Sequence, residues 1–380
     1  MPIPWKQKLM PKDKNKAPPY SILLSLLEHY EARRYEDAER LAISITQQFP
    51  NHQFSWKVLG STLRQVGRVS ESLFFSQKAI QLNLKDADAH NNLGNILNDL
   101  GRLREAEASY RQAIELNPKY AMAHNNLGNI LNNLHRPEEA EASYRQAIIL
   151  KPNFSQAHYG LGLLLYEAAQ YEEASEYFKG SNFENSKHYL LRCLYRQDKK
   201  LLFYDQLDYS INQGEINPTI GSLVCRSELR YGIEKSNLFC KDPLNYIFKN
   251  DLSNQYDFEK IFVKTTKAIL NDSGIQSRGQ TLLTNGYQTS GNLFDIESDL
   301  TDLIQKTIRL EVEKYRTHFK DSNEGFIKNW PNDYTLYGWV VSMQNGGQLA
   351  PHMHDRGWLS GSIYINVPSK LKSDSGNLVV

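Results

Sequence analysis

Two histidines near the end of the chain have the spacing of metal ligands. His352 and His354 lie two residues apart, directly before an alternating apolar run that is typical of a strand. Residues i and i+2 of a β-strand point to the same face, so both imidazoles can reach one cation. Asp355 would point away unless the chain turns there. We therefore predict a transition-metal site with His352 and His354 as ligands and Asp355 as an alternative ligand.

A third ligand is harder to place. Only 28 residues (380 minus 352) follow His352, so the third ligand is missing, is Asp355, or comes from another chain. We expect the C-terminal domain to be incomplete in this sequence. Its last strand, predicted at 376–380, would leave an open edge that a companion chain could complete. The alternative is that both histidines are solvated loop residues without a ligand role.

The composition is that of a soluble globular protein. Apolar residues make up 40% and charged residues 23%, and 44 basic against 43 acidic residues give a net charge of +1. This balance gives no reason to expect nucleic acid or a membrane as partner, and no run of about 18 apolar residues predicts a membrane span. The three cysteines lack disulfide or metal spacing, which favours a reducing compartment. We expect a cytoplasmic protein.

A 34-residue period organises the first half of the chain. Glycine recurs at this step, and so do a preceding leucine, two alanines and a late aromatic residue. The repeated glycines are Gly60, Gly94, Gly128 and Gly162. The period resembles the tetratricopeptide repeat, in which each unit is a helix pair. We predict a flexible leader at 1–18, about five repeats at 19–188, and capping helices with a linker at 189–234.

Asparagines crowd the first helix of two of these repeats, at 91–98 and 125–133. Asparagine is a mediocre helix former, so this density needs an explanation. Stacked repeats form a superhelix whose concave wall is lined by the first helices, and carboxamides on that wall can bind an extended peptide backbone. The repeats resemble those of O-GlcNAc transferase, with Asn92 and Asn126 at the matching positions.

We therefore predict a protein or peptide partner on the concave surface, bound by Asn92, Asn95, Asn126 and Asn129. The row of amides is short, because Val58 and Gly160 occupy the same position in the flanking repeats. The alternative is that the amides are merely solvated.

The 34-residue register is lost after about residue 213, and a second domain is predicted at 235–380. A helix is expected at 299–319. Two runs rich in β-branched and aromatic residues, 335–343 and 359–367, are predicted to pair as antiparallel strands across a turn at 344–347. Trp339, Trp358 and Tyr364 are either the aromatic core of a small barrel or the wall of a substrate pocket.

The second domain resembles bacterial proteins that join tetratricopeptide repeats to a 2-oxoglutarate- and Fe(II)-dependent oxygenase of the prolyl-hydroxylase-like kind. The matching motifs are Gly338-Trp339, Pro351-His352-Met353-His354, Trp358 to Tyr364 and Ser375-Gly376-Asn377-Leu378. The resemblance implies an α + β multidomain chain, with an α-solenoid followed by a partial double-stranded β-helix and flanking helices. It also implies Fe(II) and 2-oxoglutarate as cofactors. The sequence departs from the family at His354, where the family has an acid.

Two functions remain open at this point. The first is a dioxygenase that hydroxylates a substrate recruited by the repeats. The second is a non-catalytic interaction scaffold with a remnant of an oxygenase. The sequence has no nucleophile-elbow serine and no phosphate-binding loop, so serine hydrolase and P-loop chemistry are not supported.

Overall fold

The computed structural model describes residues 17–272, 274–275, 277–278, 283–295, 299–349 and 357–365. The chain divides into two compact units, 1–200 and 201–380. The division falls inside the segment predicted as capping helices and linker. None of the described helices is long and apolar enough to cross a membrane.

Helix pairs build the first unit from Tyr20 to Lys179, followed by one more helix. They are α1 (Tyr20–Glu31), α2 (Tyr35–Gln48), α3 (Gln53–Gln65), α4 (Val69–Leu82), α5 (Ala87–Asp99), α6 (Leu103–Leu116), α7 (Ala121–Asn133), α8 (Pro137–Leu150), α9 (Ser155–Glu167), α10 (Tyr171–Lys179) and α11 (Glu184–Arg196). The first helices of neighbouring pairs, α3, α5, α7 and α9, contact each other in sequence. These first helices therefore form one continuous face, and α11 packs on α10.

The repeated glycines let the two helices of a pair approach closely. A Cβ atom added to Gly94 would lie 2.5 Å from the ring of Tyr110, and one added to Gly128 would lie 2.7 Å from the ring of Tyr144. Both rings are almost completely buried. In these two pairs the glycine of the first helix therefore makes room for an aromatic ring of the second helix.

The substitution Gly128→Ala should lower the free energy of unfolding by about 1–3 kcal/mol, because overpacking displaces a buried side chain. Urea denaturation measures the effect. The same change in a Tyr144→Leu background serves as the control, since the smaller side chain leaves room for the methyl group. An equal cost in both backgrounds would show that the ring contact is not the cause.

The second unit mixes helices with a small sheet, which confirms the predicted α + β class. Its helices are α12 (Lys200–Asn212), α13 (Pro218–Tyr231), α14 (Thr265–Asn271), α15 (Asp299–His318) and α16 (Gly325–Lys328), and a π-helix spans Glu259–Lys264. Its described strands are β1 (Ser277–Arg278), β2 (Leu283–Thr289) and β3 (Val341–Leu349), which form an antiparallel sheet in the order β1-β2-β3. The helix predicted at 299–319 is confirmed by α15.

The predicted pairing of 335–343 with 359–367 is wrong for the described residues. The strand begins only at Val341 and pairs with β2, while 359–365 forms neither helix nor strand. The predicted turn at 344–347 lies inside β3, where the register with β2 jumps from Met343 to Gln348. A bulge replaces the turn because Asn285 on β2 adopts a positive φ of 49° and Gly286 has no Cβ to obstruct the carbonyl of Ser342.

Candidate functional site

Carboxamides on the first helices bind each other across the repeats. The Nδ2 group of Asn126 on α7 donates to Asn91 Oδ1 at 3.0 Å and to Asn95 Oδ1 at 3.1 Å, both on α5. One repeat earlier, Asn92 Nδ2 donates to Ser61 Oγ on α3 at 3.2 Å. We call these bonds the amide ladder. The two asparagines that match the transferase repeats, Asn92 and Asn126, therefore join neighbouring repeats.

Two buried tyrosines support the ladder from the second helices. Tyr110 donates its hydroxyl to Asn95 Oδ1 at 2.8 Å, and Tyr144 donates to Asn129 Oδ1 at 2.7 Å. Burial raises the pKa of both phenols above its ordinary value, so both hydroxyls are protonated donors at neutral pH. In the last repeat the corresponding pair is apolar, Leu163 and Phe178.

The ladder stops at Gly160, the residue one repeat beyond Asn126. Because Gly160 has no side chain, this position of α9 provides no amide to bond to α7 as Asn126 bonds to α5. Asn125 Oδ1 is buried there without a hydrogen-bond partner in the described part of the chain. An open pocket of about 520 Å³ occupies this position, and we call it the Gly160 pocket. It is lined by Asn125, Asn126, Asn129, Asn132, Asn133, Tyr144, Gln156, Tyr159, Gly160, Leu163 and Phe183.

The lining determines what the Gly160 pocket can bind. No charged side chain is among the lining residues, and six of them carry carboxamides that donate and accept hydrogen bonds. Tyr159, Leu163 and Phe183 add an apolar side, with the rings of Tyr159 and Phe183 5.3 Å apart. The pocket therefore suits a neutral, hydrogen-bonding ligand with some apolar surface. The sequence signal for it was the interruption of the asparagine row at Gly160.

The predicted metal ligands His352, His354 and Asp355 lie outside the described residues, so their arrangement is not part of the structure presented. Within the residues that are described, no group of three or more His, Cys, Asp or Glu side chains could hold a metal ion. The chemistry of the predicted donor set, two imidazoles and a carboxylate, fits Fe(II).

The three aromatic residues predicted for a substrate pocket have different surroundings. Trp358 donates its Nε1 hydrogen to the carbonyl of Phe326 at 2.9 Å and packs edge-on against Phe239 at 5.2 Å, as part of a core cluster. Trp339 is half-buried beside Tyr337. Tyr364 is 54% exposed. Trp358 therefore has a structural role, and a pocket shared by the three remains a prediction.

Family models match both parts of the chain. Residues 94–134 match the family described as "TPR repeat", and residues 121–154 match the "Tetratricopeptide repeat" family. The chain thus contains tetratricopeptide repeats within residues 94–154. Its C-terminal residues 337–378 match the family described as "Putative 2OG-Fe(II) oxygenase", which adds an oxygenase-like domain to the repeats. None of the curated proteins matches the chain significantly.

Several solved structures are similar to the chain. PilW, described as a widely conserved type IV pilus biogenesis factor, is 17% identical, with 53% of this chain and 96% of PilW covered and a TM-score of 0.48. PilF of Pseudomonas aeruginosa is 18% identical, with coverages of 56% and 91% and a TM-score of 0.45. YrrB, described as a TPR protein with an unusual peptide-binding site, is 18% identical, with coverages of 45% and 91% and a TM-score of 0.38. These are likenesses of fold only.

Proposed function

We propose that the chain is a 2-oxoglutarate- and Fe(II)-dependent dioxygenase that hydroxylates a protein or peptide bound by its repeats. The observation that carries the proposal is the oxygenase match at 337–378 in a chain whose repeat unit holds the Gly160 pocket. The domain responsible would be 235–380, with the partial double-stranded β-helix that the resemblance implies.

The recruiting role is supported by the chemistry of the Gly160 pocket. Asn129 is exposed, and its Oδ1 receives only the Tyr144 hydroxyl among the described residues, so it can accept from a further donor. Asn132, Asn133 and Gln156 line the same pocket. Exposed carboxamides can pair with the N–H and C=O groups of an extended peptide independently of its side chains. Asn92, Asn95 and Asn126 would hold the helices that carry this surface, because the ladder uses the Nδ2 groups of Asn92 and Asn126 and the Oδ1 of Asn95.

The catalytic role rests on the predicted ligands. His352 and His354, with Asp355 as an alternative, would hold Fe(II). The bound metal and 2-oxoglutarate would supply the activation of dioxygen that hydroxylation requires. The task of this chain's own residues would be to hold the metal, to orient the cosubstrate and to keep the recruited peptide close to both.

We expect the full chain to convert 2-oxoglutarate to succinate in the presence of Fe(II), ascorbate and a mixture of random peptides. Succinate formation should depend on added iron and should fall to background in a His352→Ala variant, because a metal ligand is lost. Succinate measured by mass spectrometry tests this. Absence of turnover with every peptide mixture, from protein shown to be folded, would rule out a dioxygenase formed by this chain alone.

The second candidate function is a non-catalytic interaction scaffold. It is favoured by the fact that the Gly160 pocket is built entirely from residues of the repeat unit, 1–200. Peptide binding without any succinate formation would support the scaffold over the enzyme. The companion chain for the C-terminal domain remains a prediction.

A further inference from the structure

The 34-residue register shows which group is missing from the Gly160 pocket. The three pairs of equivalent residues, one repeat apart, are Asn91 and Asn125, Asn95 and Asn129, and Asn126 and Gly160. In the earlier repeat, the single NH2 group of Asn126 donates one hydrogen to Asn91 Oδ1 and the other to Asn95 Oδ1. In the later repeat both acceptors are present, but Gly160 provides no donor.

The amide oxygens of Asn125 and Asn129 lack the hydrogen bond that Asn126 donates to the equivalent oxygens of Asn91 and Asn95. Asn125 is 5% exposed, and its Oδ1 is buried without a partner among the described residues. Its Nδ2 donates to Asn126 Oδ1 at 3.4 Å, so the amide nitrogen has a partner that the oxygen lacks among the described residues. Asn129 Oδ1 accepts from the Tyr144 hydroxyl, as Asn95 Oδ1 accepts from that of Tyr110, but it accepts from no amide of the described residues. A buried acceptor without a donor is costly, and native proteins keep few of them.

We infer that the Gly160 pocket accepts a primary carboxamide, the side chain of an asparagine or glutamine in the bound peptide. Its NH2 group would donate to Asn125 Oδ1 and Asn129 Oδ1, as the NH2 group of Asn126 does one repeat earlier. The inference rests on the proposed recruitment of a peptide and specifies which side chain of that peptide the pocket recognises.

Other donors fit less well. A backbone N–H group has one hydrogen and cannot satisfy both acceptors at once. The ammonium of lysine or the guanidinium of arginine would lose its hydration against lining residues that include no carboxylate. An aspartate or glutamate of the same shape has no hydrogen to donate and would place its charge against two oxygen acceptors. Tyr159 and Leu163 on the apolar side of the pocket can contact the methylene groups of the ligand side chain.

The NH2 group that donates to Asn125 and Asn129 must come from outside the repeats. A Cβ atom at Gly160 would lie 2.7 Å from the ring of Tyr144, which occupies the space that a side chain of residue 160 would need. The ring is 2% exposed and donates to Asn129, so it is held in place. Residue 160 therefore cannot supply the missing donor without displacing this ring.

The test uses octapeptides selected from a random display library by the full chain, resynthesised with N-methylated C-terminal amides so that no other primary amide is present. Changing the recognised Asn or Gln to the isosteric Asp or Glu should weaken binding at least 10-fold, as should Asn125→Leu in the protein. Binders without Asn or Gln, or binders that tolerate each of these changes, would overturn the inference while peptide recruitment stands. A library without any binder would refute the recruitment itself and the inference with it.

A comparison without ligand tests the unsatisfied acceptor directly. Asn125→Leu should raise the melting temperature, because the substitution removes a buried acceptor that has no donor. The matched variant Asn91→Leu should lower it, because the same substitution one repeat earlier removes an acceptor that Asn126 satisfies. A fall of equal size in both variants would show that Asn125 is satisfied and would overturn the inference.

Discussion

Replacing Asp86 by asparagine should lower the free energy of unfolding of the repeat unit by about 3–5 kcal/mol, the usual cost of breaking a buried ion pair. Lys57 Nζ lies 2.8 Å from Asp86 Oδ2, and the two side chains are 6% and 8% exposed. Gln53 donates to the same carboxylate oxygen at 2.8 Å. Loss of the carboxylate charge would leave the ammonium of Lys57 buried, with Asp88 as a more distant counter-ion at 3.9 Å.

The asparagine substitution isolates the charge from the helix cap. Asp86 is the N-cap of α5, and its Oδ1 accepts from the backbone N–H groups of Asp88 and Ala89; asparagine caps helices as well as aspartate does. The control is Asp99→Asn, which breaks the more exposed pair with Arg64 and should cost under about 1 kcal/mol. Urea denaturation of both variants gives the comparison. Equal losses would contradict the assigned role of the buried pair.

The same ion pair predicts how stability depends on pH. Burial alone would raise the pKa of Asp86, but the charge of Lys57 and the hydrogen bonds from Lys57 and Gln53 lower it overall. A lowered pKa in the folded state gives stability above the unfolded pKa of about 3.9, and this stability is lost as the pH falls through the folded value. Asp86→Asn should therefore lose less stability than the natural chain between neutral and strongly acidic pH.

Replacing His352 and His354 together by alanine should abolish saturable Fe(II) binding in an anaerobic titration. Changing only an outer partner of a metal ligand weakens binding by about 10–100-fold, so removal of two ligands should exceed about 100-fold. Because Asp355 is left as a lone carboxylate, it cannot hold the metal tightly. The measurement uses the purified full chain and follows bound iron against free iron.

A matched histidine in the repeats controls for general effects of the substitution. His124 Nε2 lies 3.1 Å from the carbonyl of Pro118, so His124→Ala removes an imidazole from the repeat unit. Iron binding should be unchanged by it. If the double variant at 352 and 354 bound iron like the natural chain, the predicted site would be wrong and other residues would hold the metal.

The repeat architecture followed from the sequence because its determinants are local. Each helix pair needs small and apolar residues at a fixed step, and the repeated glycine lies against the second helix of its own pair, as Gly94 lies against Tyr110. The helix at Asp299–His318 was predictable for the same reason. Such periodic patterns can be detected in a single sequence because they arise from contacts between residues that are close together along the chain.

The sheet was less predictable. The segment 344–347 contains turn-forming residues, and the sequence alone favoured a hairpin there. The structure instead places it in a bulge of β3 opposite Asn285, a residue about 60 positions earlier in the sequence. Strand pairing depends on which distant segment is available, and local propensity does not contain that information.

The sequence by itself determined that tetratricopeptide repeats are joined to an oxygenase-like segment, that asparagines cluster on the first helices, and that their row ends at Gly160. Only the tertiary structure decided which amides bond to each other across the repeats and which amide oxygen is left without a partner among the described residues. Asn126 and Asn125 are neighbours of the same type, yet the first bonds to α5 and the second has a buried oxygen without a partner in the described part of the chain. The difference arises because the partners of Asn126 lie about one repeat away, and only stacking of the helices brings them within hydrogen-bonding distance.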